Sequence, residues 1–251
     1  MNAYVLKIAY DGTAYNGWQI QPNVPSITDI LEKKFKLIFG NYATIVGASR
    51  TDAGVHAMGQ VAVCRTEIDI PEQRLLRAWN NALPTDITIR SLSKTDINFH
   101  PRYNVAQKTY YYHFFLNRPM PFVARYGLFI QRNIDLEKLQ QALQIFSGTH
   151  DFRSFCTGDE CAGKTVRTIN QIKLEYLRRY NAYRIVVRGQ SFLRHMIRRI
   201  VGASLDVAMR PDVSLNKVQD VLLACNPAHA LPNAPAQGLM LYSIRYKKGD
   251  K

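Results

Sequence analysis

The feature that most constrains the fold is a switch between strand and helix periodicity that occurs in the same order in both halves of the chain. Alternating apolar residues predict a strand at residues 3–10. Ser26 to Phe39 predicts a helix, because Ser26 and Asp29 have capping-box spacing and Gly40 follows its end. The first half then continues with strands at 43–48 and 60–66, a helix opened by Pro71 and a strand at 87–92. This order, β-α-β-β-α-β, is the split βαβ or ferredoxin-like pattern.

The second half predicts a similar order from different residues. Its expected elements are a strand at 108–116, a helix at 135–146, an antiparallel pair at 166–177 and 183–188, helices at 193–209 and 214–224, and a strand at 239–246. No Pro/Gly/Ser-rich linker separates the halves, so we place the boundary near Tyr103, giving domains 1–103 and 104–251. We therefore predict an α+β fold in which two ferredoxin-like halves pack into one largely antiparallel sheet, with helices on one side and a central basic cleft.

Charge and cysteine usage narrow the class of protein. Lys and Arg number 33 against 19 Asp and Glu, a net charge of +14, which favours a polyanionic partner. No apolar run approaches the roughly 20 residues of a membrane-spanning helix, and no signal-peptide core opens the chain, so we expect a cytoplasmic protein. Cys64, Cys156, Cys161 and Cys225 show no C-x-x-C spacing and are expected to be reduced thiols. The irregular spacing of Cys156, Cys161 and His150 does not favour a metal site, and no metal or cofactor is predicted.

One segment concentrates residue types that chemistry requires. It reads Gly47-Ala48-Ser49-Arg50-Thr51-Asp52-Ala53-Gly54-Val55-His56-Ala57-Met58-Gly59-Gln60. In an extended chain Arg50 and Asp52 leave the same face, close enough to favour the ionised carboxylate. Its glycines allow sharp turns or close approach to a ligand. On composition alone, a surface Arg/Asp pair in a glycine-rich turn explains the segment equally well.

The string resembles the Arg-Thr-Asp-x-Gly-Val-His-Ala signature of the TruA family of tRNA pseudouridine synthases. Further segments match that family in the same order, and together they span essentially the whole chain. They are Tyr10-Asp11-Gly12-Thr13-Ala14-Tyr15-Asn16-Gly17-Trp18-Gln19, Phe99-His100-Pro101-Arg102, Lys108-Thr109-Tyr110, Phe192-Leu193-Arg194-His195-Met196-Ile197-Arg198 and Ala236-Gln237-Gly238-Leu239.

The resemblance implies an isomerase that converts uridine to pseudouridine in the anticodon stem-loop of tRNA, at positions 38–40. Asp52 would be its essential catalytic residue, attacking the ribose or removing a proton from it. Tyr110 would stack on the target base, and Arg198 would pair with Asp52. Arg50 is also expected at the substrate. The resemblance further implies a homodimer that holds each tRNA arm across both subunits.

Plainer alternatives exist for these residues. Tyr110, Tyr111 and Tyr112 alternate along a predicted strand, so at least one of them is expected in the core. Arg198 could lie on a solvated helix face with a buried stem, as most helical arginines do. His56 and His100 belong to the matching segments and receive no catalytic role.

Clustered cations are expected to contact the RNA backbone, without any one of them being singled out. The cluster comprises Arg178, Arg179, Arg184, Arg188, Arg194 and Arg199, with Arg102, Lys108, Lys247 and Lys248 elsewhere.

Other classes of protein fit less well. An aspartic protease needs two carboxylates and an Asp-Thr-Gly or Asp-Ser-Gly sequence, which is absent. A zinc nucleobase deaminase needs H-x-E and P-C-x-x-C, which are absent too. A non-catalytic RNA-binding or RNA-folding module of the same fold remains the open alternative.

Overall fold

The computed structural model describes residues 1–229 and 231–247 and divides them into two compact units. The first unit consists of Met1–Ala106 and the final strand from Met240, and the second consists of Gln107–Leu239. The predicted domains were 1–103 and 104–251; the last residues of the second, including Lys248, lie outside the described part. No helix among the described residues is long and apolar enough to cross a membrane.

The first unit has the predicted β-α-β-β-α-β order. Its elements are β1 (Asn2–Tyr10), α1 (Ile27–Phe39), β2 (Ala43–Gly47), β3 (His56–Thr66), α2 (Glu72–Ala82) and β4 (Ile87–Thr95). β1 pairs antiparallel with both β3 and β4, and β2 pairs antiparallel with β3. The last strand, β10 (Leu239–Tyr246), runs parallel to β3.

The first helix begins and ends where the capping residues predict. The Ser26 side chain accepts a hydrogen bond from the Asp29 N–H at 3.3 Å, and Gly40 adopts the left-handed conformation at φ 69°. Leu31 and Phe35 are completely buried, and the Phe35 ring packs edge-on against Trp79 of α2. The Trp79 indole N–H donates to the Leu31 carbonyl, so this buried N–H group has a hydrogen-bond partner.

The second unit contains more elements than predicted. Its strands and α-helices, predicted and additional together, are β5 (Val105–Phe115), α3 (Pro121–Ala124), β6 (Leu128–Phe129), α4 (Leu136–Gln144), β7 (Gly148–Asp151), β8 (Val166–Leu177), β9 (Ala182–Gly189), α5 (Met196–Ala208) and α6 (Asn216–Leu223). β9 lies antiparallel between β5 and β8, and β7 adds antiparallel to β8. The elements that the sequence did not predict, α3, β6 and β7, are too short to carry a periodic signal.

These strands and helices confirm the predicted α+β class with a mainly antiparallel sheet. In the first unit, β3 starts four residues earlier than predicted, at His56 instead of residue 60. Gly59 suggested a turn, but it lies inside the strand, where an added Cβ would be 2.5 Å from the Tyr242 carbonyl oxygen of β10. That glycine accommodates a neighbouring strand and does not break its own.

Candidate active site

Asp52 lies in the connection between β2 and β3, at a tight turn. Its carbonyl oxygen accepts from the Val55 N–H at 3.1 Å, and Gly54 has φ 77°. A glycine with positive φ at the third position is what a type II turn requires. The Asp52 residue is half-buried, whereas Thr51 before it and Val55 after it are buried. The loop therefore presents Asp52 between two residues that are fixed in the protein.

The segment that follows β1 anchors this loop through its backbone. The Trp18 N–H donates to the Thr51 carbonyl at 3.0 Å, and the Gly54 N–H donates to the Tyr15 carbonyl at 3.2 Å. A third bond joins the Tyr10 hydroxyl and the Thr51 hydroxyl at 2.8 Å. Residues before and after Asp52, Thr51 and Gly54, are thus hydrogen-bonded to other parts of the protein, which reduces the conformational freedom of the loop.

Two glycines of the anchoring segment permit this close approach. A Cβ at Gly12 would lie 2.1 Å from the Val55 carbonyl oxygen, and a Cβ at Gly17 would lie 2.4 Å from the Thr51 carbonyl oxygen. Gly17 also has φ 85°, a backbone conformation that residues with a side chain rarely adopt. At these positions any side chain would push the Asp52 loop away.

The glycines of the Asp52 segment itself have a different role from the one expected. Gly47 and Gly59 were predicted to allow a turn or a ligand, but they face the protein's own atoms. A Cβ at Gly47 would lie 2.5 Å from the Trp18 ring, and Gly59 faces β10. Only Gly54 of the three has positive φ.

Two histidines of the matching segments lie near this region. His56 is buried, and its Nδ1 accepts from the Gly12 N–H at 3.0 Å and lies 3.1 Å from an Asp11 carboxylate oxygen. These contacts tie β3 to the anchoring segment. His100 stacks on Tyr103, and burial followed by the charges of Arg102 and Arg65 lowers its pKa.

Arg50 is exposed beside a second cation. Desolvation and then the charge of Arg50 lower the pKa of Arg102, which donates its Nε–H to the Gly47 carbonyl at 3.2 Å. Two guanidinium groups therefore raise the electrostatic potential on the Asp52 side of the first unit.

The second unit carries the other predicted site residues, beginning with Tyr110 on β5. Tyr110 is 6% exposed, and its ring meets Phe192 edge-on with 5.4 Å between centroids. Its neighbours Tyr111 and Tyr112 are also buried, so the expectation of at least one core tyrosine is met. Tyr112 donates its hydroxyl to the Pro235 carbonyl at 3.0 Å, and burial raises its pKa.

Arg198 lies on α5 and is half-buried rather than fully solvated. Its Nε–H donates to the Ala234 carbonyl at 2.8 Å, while its own carbonyl accepts from the Ala234 N–H at 3.0 Å. The backbone of residue 234 therefore orients this guanidinium. Its pairing with Asp52 stays a prediction.

The loop before β8 braces the start of α5. The Thr157 hydroxyl is 2.7 Å from His195 Nδ1, and the Glu160 carboxylate accepts from the Arg194 N–H at 2.7 Å. A disulfide joins Cys156 and Cys161 in this loop, so the prediction of four reduced thiols is wrong for these two. Their spacing gave no sign that the short helical turns between them would bring the two Cα atoms to 5.7 Å.

Two members of the arginine cluster are occupied by the protein itself. Arg184 forms an ion pair with Glu175 and lies over the Tyr111 ring at 4.2 Å. Arg199 donates to the carbonyl oxygens of Ser154 and Cys156. These two arginines stabilise the second unit, whatever the others bind.

Sequence reasoning missed the residues that position the loop, notably Trp18, Thr51 and Gln60. The available signal for Trp18 and Thr51 was their membership of the two longest matching segments, whereas Gln60 lies three residues beyond the signature. Their partners are distant in sequence, so periodicity could not reveal the contacts.

Comparison with known proteins identifies the family of this chain. The model of a family described as tRNA pseudouridine synthase matches residues 7–104 and 142–247. The tRNA pseudouridine synthase A 1 of Protochlamydia amoebophila is 37% identical over 252 residues, covering 98% of this chain and 97% of the relative. The tRNA pseudouridine synthase A of Acetivibrio thermocellus is 36% identical, covering 96% and 98%, and that of Pseudothermotoga lettingae is 33% identical, covering 98% and 100%. The chain therefore belongs to the TruA family of tRNA pseudouridine synthases, which are isomerases.

Proposed function

We propose that this protein isomerises uridine to pseudouridine at positions 38–40 of the tRNA anticodon stem-loop, with Asp52 as its essential catalytic residue. The observation that carries the proposal is a half-buried residue, Asp52, in a loop that three hydrogen bonds tie to the last residue of β1 and to the segment after it. A structural surface turn has no need of such restraint. The proposal extends the family's chemistry to named residues of this chain.

The chemistry gives one carboxylate a clear task. When the base leaves the ribose, positive charge develops at C1′, and an anionic oxygen can stabilise it, attack it or remove a neighbouring proton. The base must then be rejoined through C5 before water reaches the sugar. A carboxylate with restricted motion supports this, because small displacements of a catalytic group are costly.

Tyr110 and Arg198 complete the proposed site. An extruded base loses its stacking partners, and an aromatic ring can replace them. The Arg198 guanidinium, oriented by the Ala234 carbonyl, would keep Asp52 ionised and fix its rotamer. Arg50 and Arg102 supply positive potential for the phosphates nearby.

The proposed assembly and location follow the same resemblance. We propose a cytoplasmic homodimer that recognises the tRNA arm mainly by shape and backbone charge. The net charge of +14 supports an RNA partner.

The experiment that tests the function is direct. We expect the purified protein to convert uridines of unmodified tRNA transcripts to pseudouridine without added metal or cofactor, and only within the anticodon arm. Chemical mapping of pseudouridine at nucleotide resolution measures both activity and position. Product outside that arm would contradict the proposed specificity, and binding without product would favour the non-catalytic module.

Substitution of Tyr110 tests base stacking. Tyr110→Phe keeps the ring and its edge contact with Phe192, so we expect its single-turnover rate to stay within a few-fold of the wild type. Tyr110→Ala should lose about 1–3 kcal/mol of stacking, roughly a 5- to 150-fold lower rate. Tyr111→Phe is the matched control on the same strand. Equal rates for Tyr110→Phe and Tyr110→Ala would contradict the stacking role.

A further inference from the structure

β3 changes its partner along its length. At Ala62 to Thr66 it pairs antiparallel with β2, whereas at His56 and Ala57 it pairs with β10 running parallel. The chain of β2 must therefore leave β3 between these two stretches so that β10 can pair there. The departing residues are the ones that lead to Asp52.

The Gln60 side chain holds the chain at the point of departure. The last backbone bond between the two strands runs from the Ala48 N–H to the Val61 carbonyl at 2.8 Å. At the next residue, Gln60 Oε1 accepts from the Ser49 N–H at 3.2 Å, and Gln60 Nε2 donates to the Ser49 carbonyl at 2.5 Å. The side-chain amide thus takes the place of a strand backbone for one residue.

This amide clamp lies in a fully enclosed environment. Gln60 has no solvent exposure, and Ser49 is 8% exposed. Water has little access to the amide there, so loss of either bond removes a buried hydrogen bond of the Ser49 backbone. Because Ser49 is three residues before Asp52, movement of Ser49 is transmitted to the catalytic loop.

We propose that Gln60 is a positioning residue for Asp52. Together with the Trp18–Thr51 bond on the far side, it fixes where the loop leaves the sheet and therefore where the carboxylate lies. The inference rests on the proposed catalytic role of Asp52. Gln60 itself touches no substrate in this proposal.

A carboxyl group at position 60 provides a test with an internal rescue. In Gln60→Glu the acid form can still donate an O–H to the Ser49 carbonyl, whereas the ionised form repels that oxygen. Burial raises the pKa of such a carboxyl, so the clamp is intact at low pH and is lost as pH rises through that pKa. Relative to wild type, the single-turnover rate of Gln60→Glu should be near unity at about pH 5.5 and fall about tenfold to a hundredfold by about pH 8.

The effect should appear in the rate and not in binding. The Kd for a tRNA transcript should stay within a few-fold of wild type, because phosphate contacts are unchanged. Gln60→Met removes both bonds with little change in volume and cannot titrate. It should show the lower rate at every pH, and it keeps the test usable if the buried carboxylate prevents folding.

Asn80 offers a matched control in the same unit. Its side chain forms the same pair of bonds to a backbone, accepting from the Ile89 N–H and donating to the Ile89 carbonyl, both at 2.9 Å. Asn80→Asp should lower stability but leave the ratio of rates flat with pH in the folded protein. A wild-type rate for Gln60→Met at every pH, or a similar pH dependence for Gln60→Glu and Asn80→Asp, would overturn the proposal.

The outcome is separable from failure of the proposed function. If Asp52→Ala remains active, the catalytic role of Asp52 is wrong. If Asp52→Ala is inactive while Gln60→Glu and Gln60→Met both match wild type, only the positioning role is wrong.

Discussion

Asp52→Asn should reduce pseudouridine formation by at least about a thousandfold while leaving the affinity for tRNA nearly unchanged. The amide has the same shape but can neither stabilise positive charge at C1′ nor accept a proton as a carboxylate does. One carboxylate contributes little to binding a polyanion, so loss of its charge should not weaken association. Single-turnover assays and filter binding with the same transcript measure both quantities.

The control for this prediction is an equal charge change elsewhere in the first unit. Asp69 is exposed and pairs with Lys94 on the surface, where an ion pair contributes little. Asp69→Asn should therefore leave the rate unchanged. A comparable loss in both variants would point to net charge, and a fully active Asp52→Asn would remove the proposed mechanism.

Gly17→Ala should destabilise the first unit by about 2–4 kcal/mol and lower activity strongly. Positive φ at this position costs an alanine about 1 kcal/mol. Its Cβ would also lie 2.4 Å from the Thr51 carbonyl and 3.0 Å from the Asp52 carbonyl carbon, and such overpacking costs about 1–3 kcal/mol. Denaturant unfolding measures the loss of stability. Single-turnover assays under native conditions measure the loss of activity that displacement of Asp52 would cause.

Gly40 separates these two contributions. It also has positive φ, 69°, but nothing lies within 4 Å of an added Cβ. Gly40→Ala should therefore show only the backbone cost and retain full activity. If Gly17→Ala behaves like Gly40→Ala, the close packing of the anchoring segment does not position the loop.

The fold was predictable wherever its signals are local. Ser26 and Gly40 determine the ends of α1, and the alternation of β8 and β10 gave the bounds that the structure shows. Local signals failed at Gly59, where the glycine accommodates a strand 180 residues away in sequence. Likewise, no periodicity could indicate that β3 has β2 as its neighbour over one stretch and β10 over another.

The sequence could suggest the residues of the candidate site but not the tertiary contacts that position them. The resemblance suggested Asp52, Tyr110 and Arg198, because residue types at fixed spacing are visible in a sequence, and their roles stay predictions. It did not reveal that Gln60 replaces a strand backbone, since that role depends on burial and on two specific hydrogen bonds. For the same reason Arg184 seemed available to RNA, although Glu175 and Tyr111 hold it.

The parallel pairing of β10 with β3 has a consequence for synthesis of the chain. His56 precedes its partner Met240 by most of the sequence, so the N-terminal unit emerges from the ribosome long before its last strand exists. Until then the backbone around His56 is an open edge that can associate with other nascent chains. Truncation upstream of residue 240 should therefore lower solubility, because it exposes the strand edge at His56, far in sequence from the residues removed.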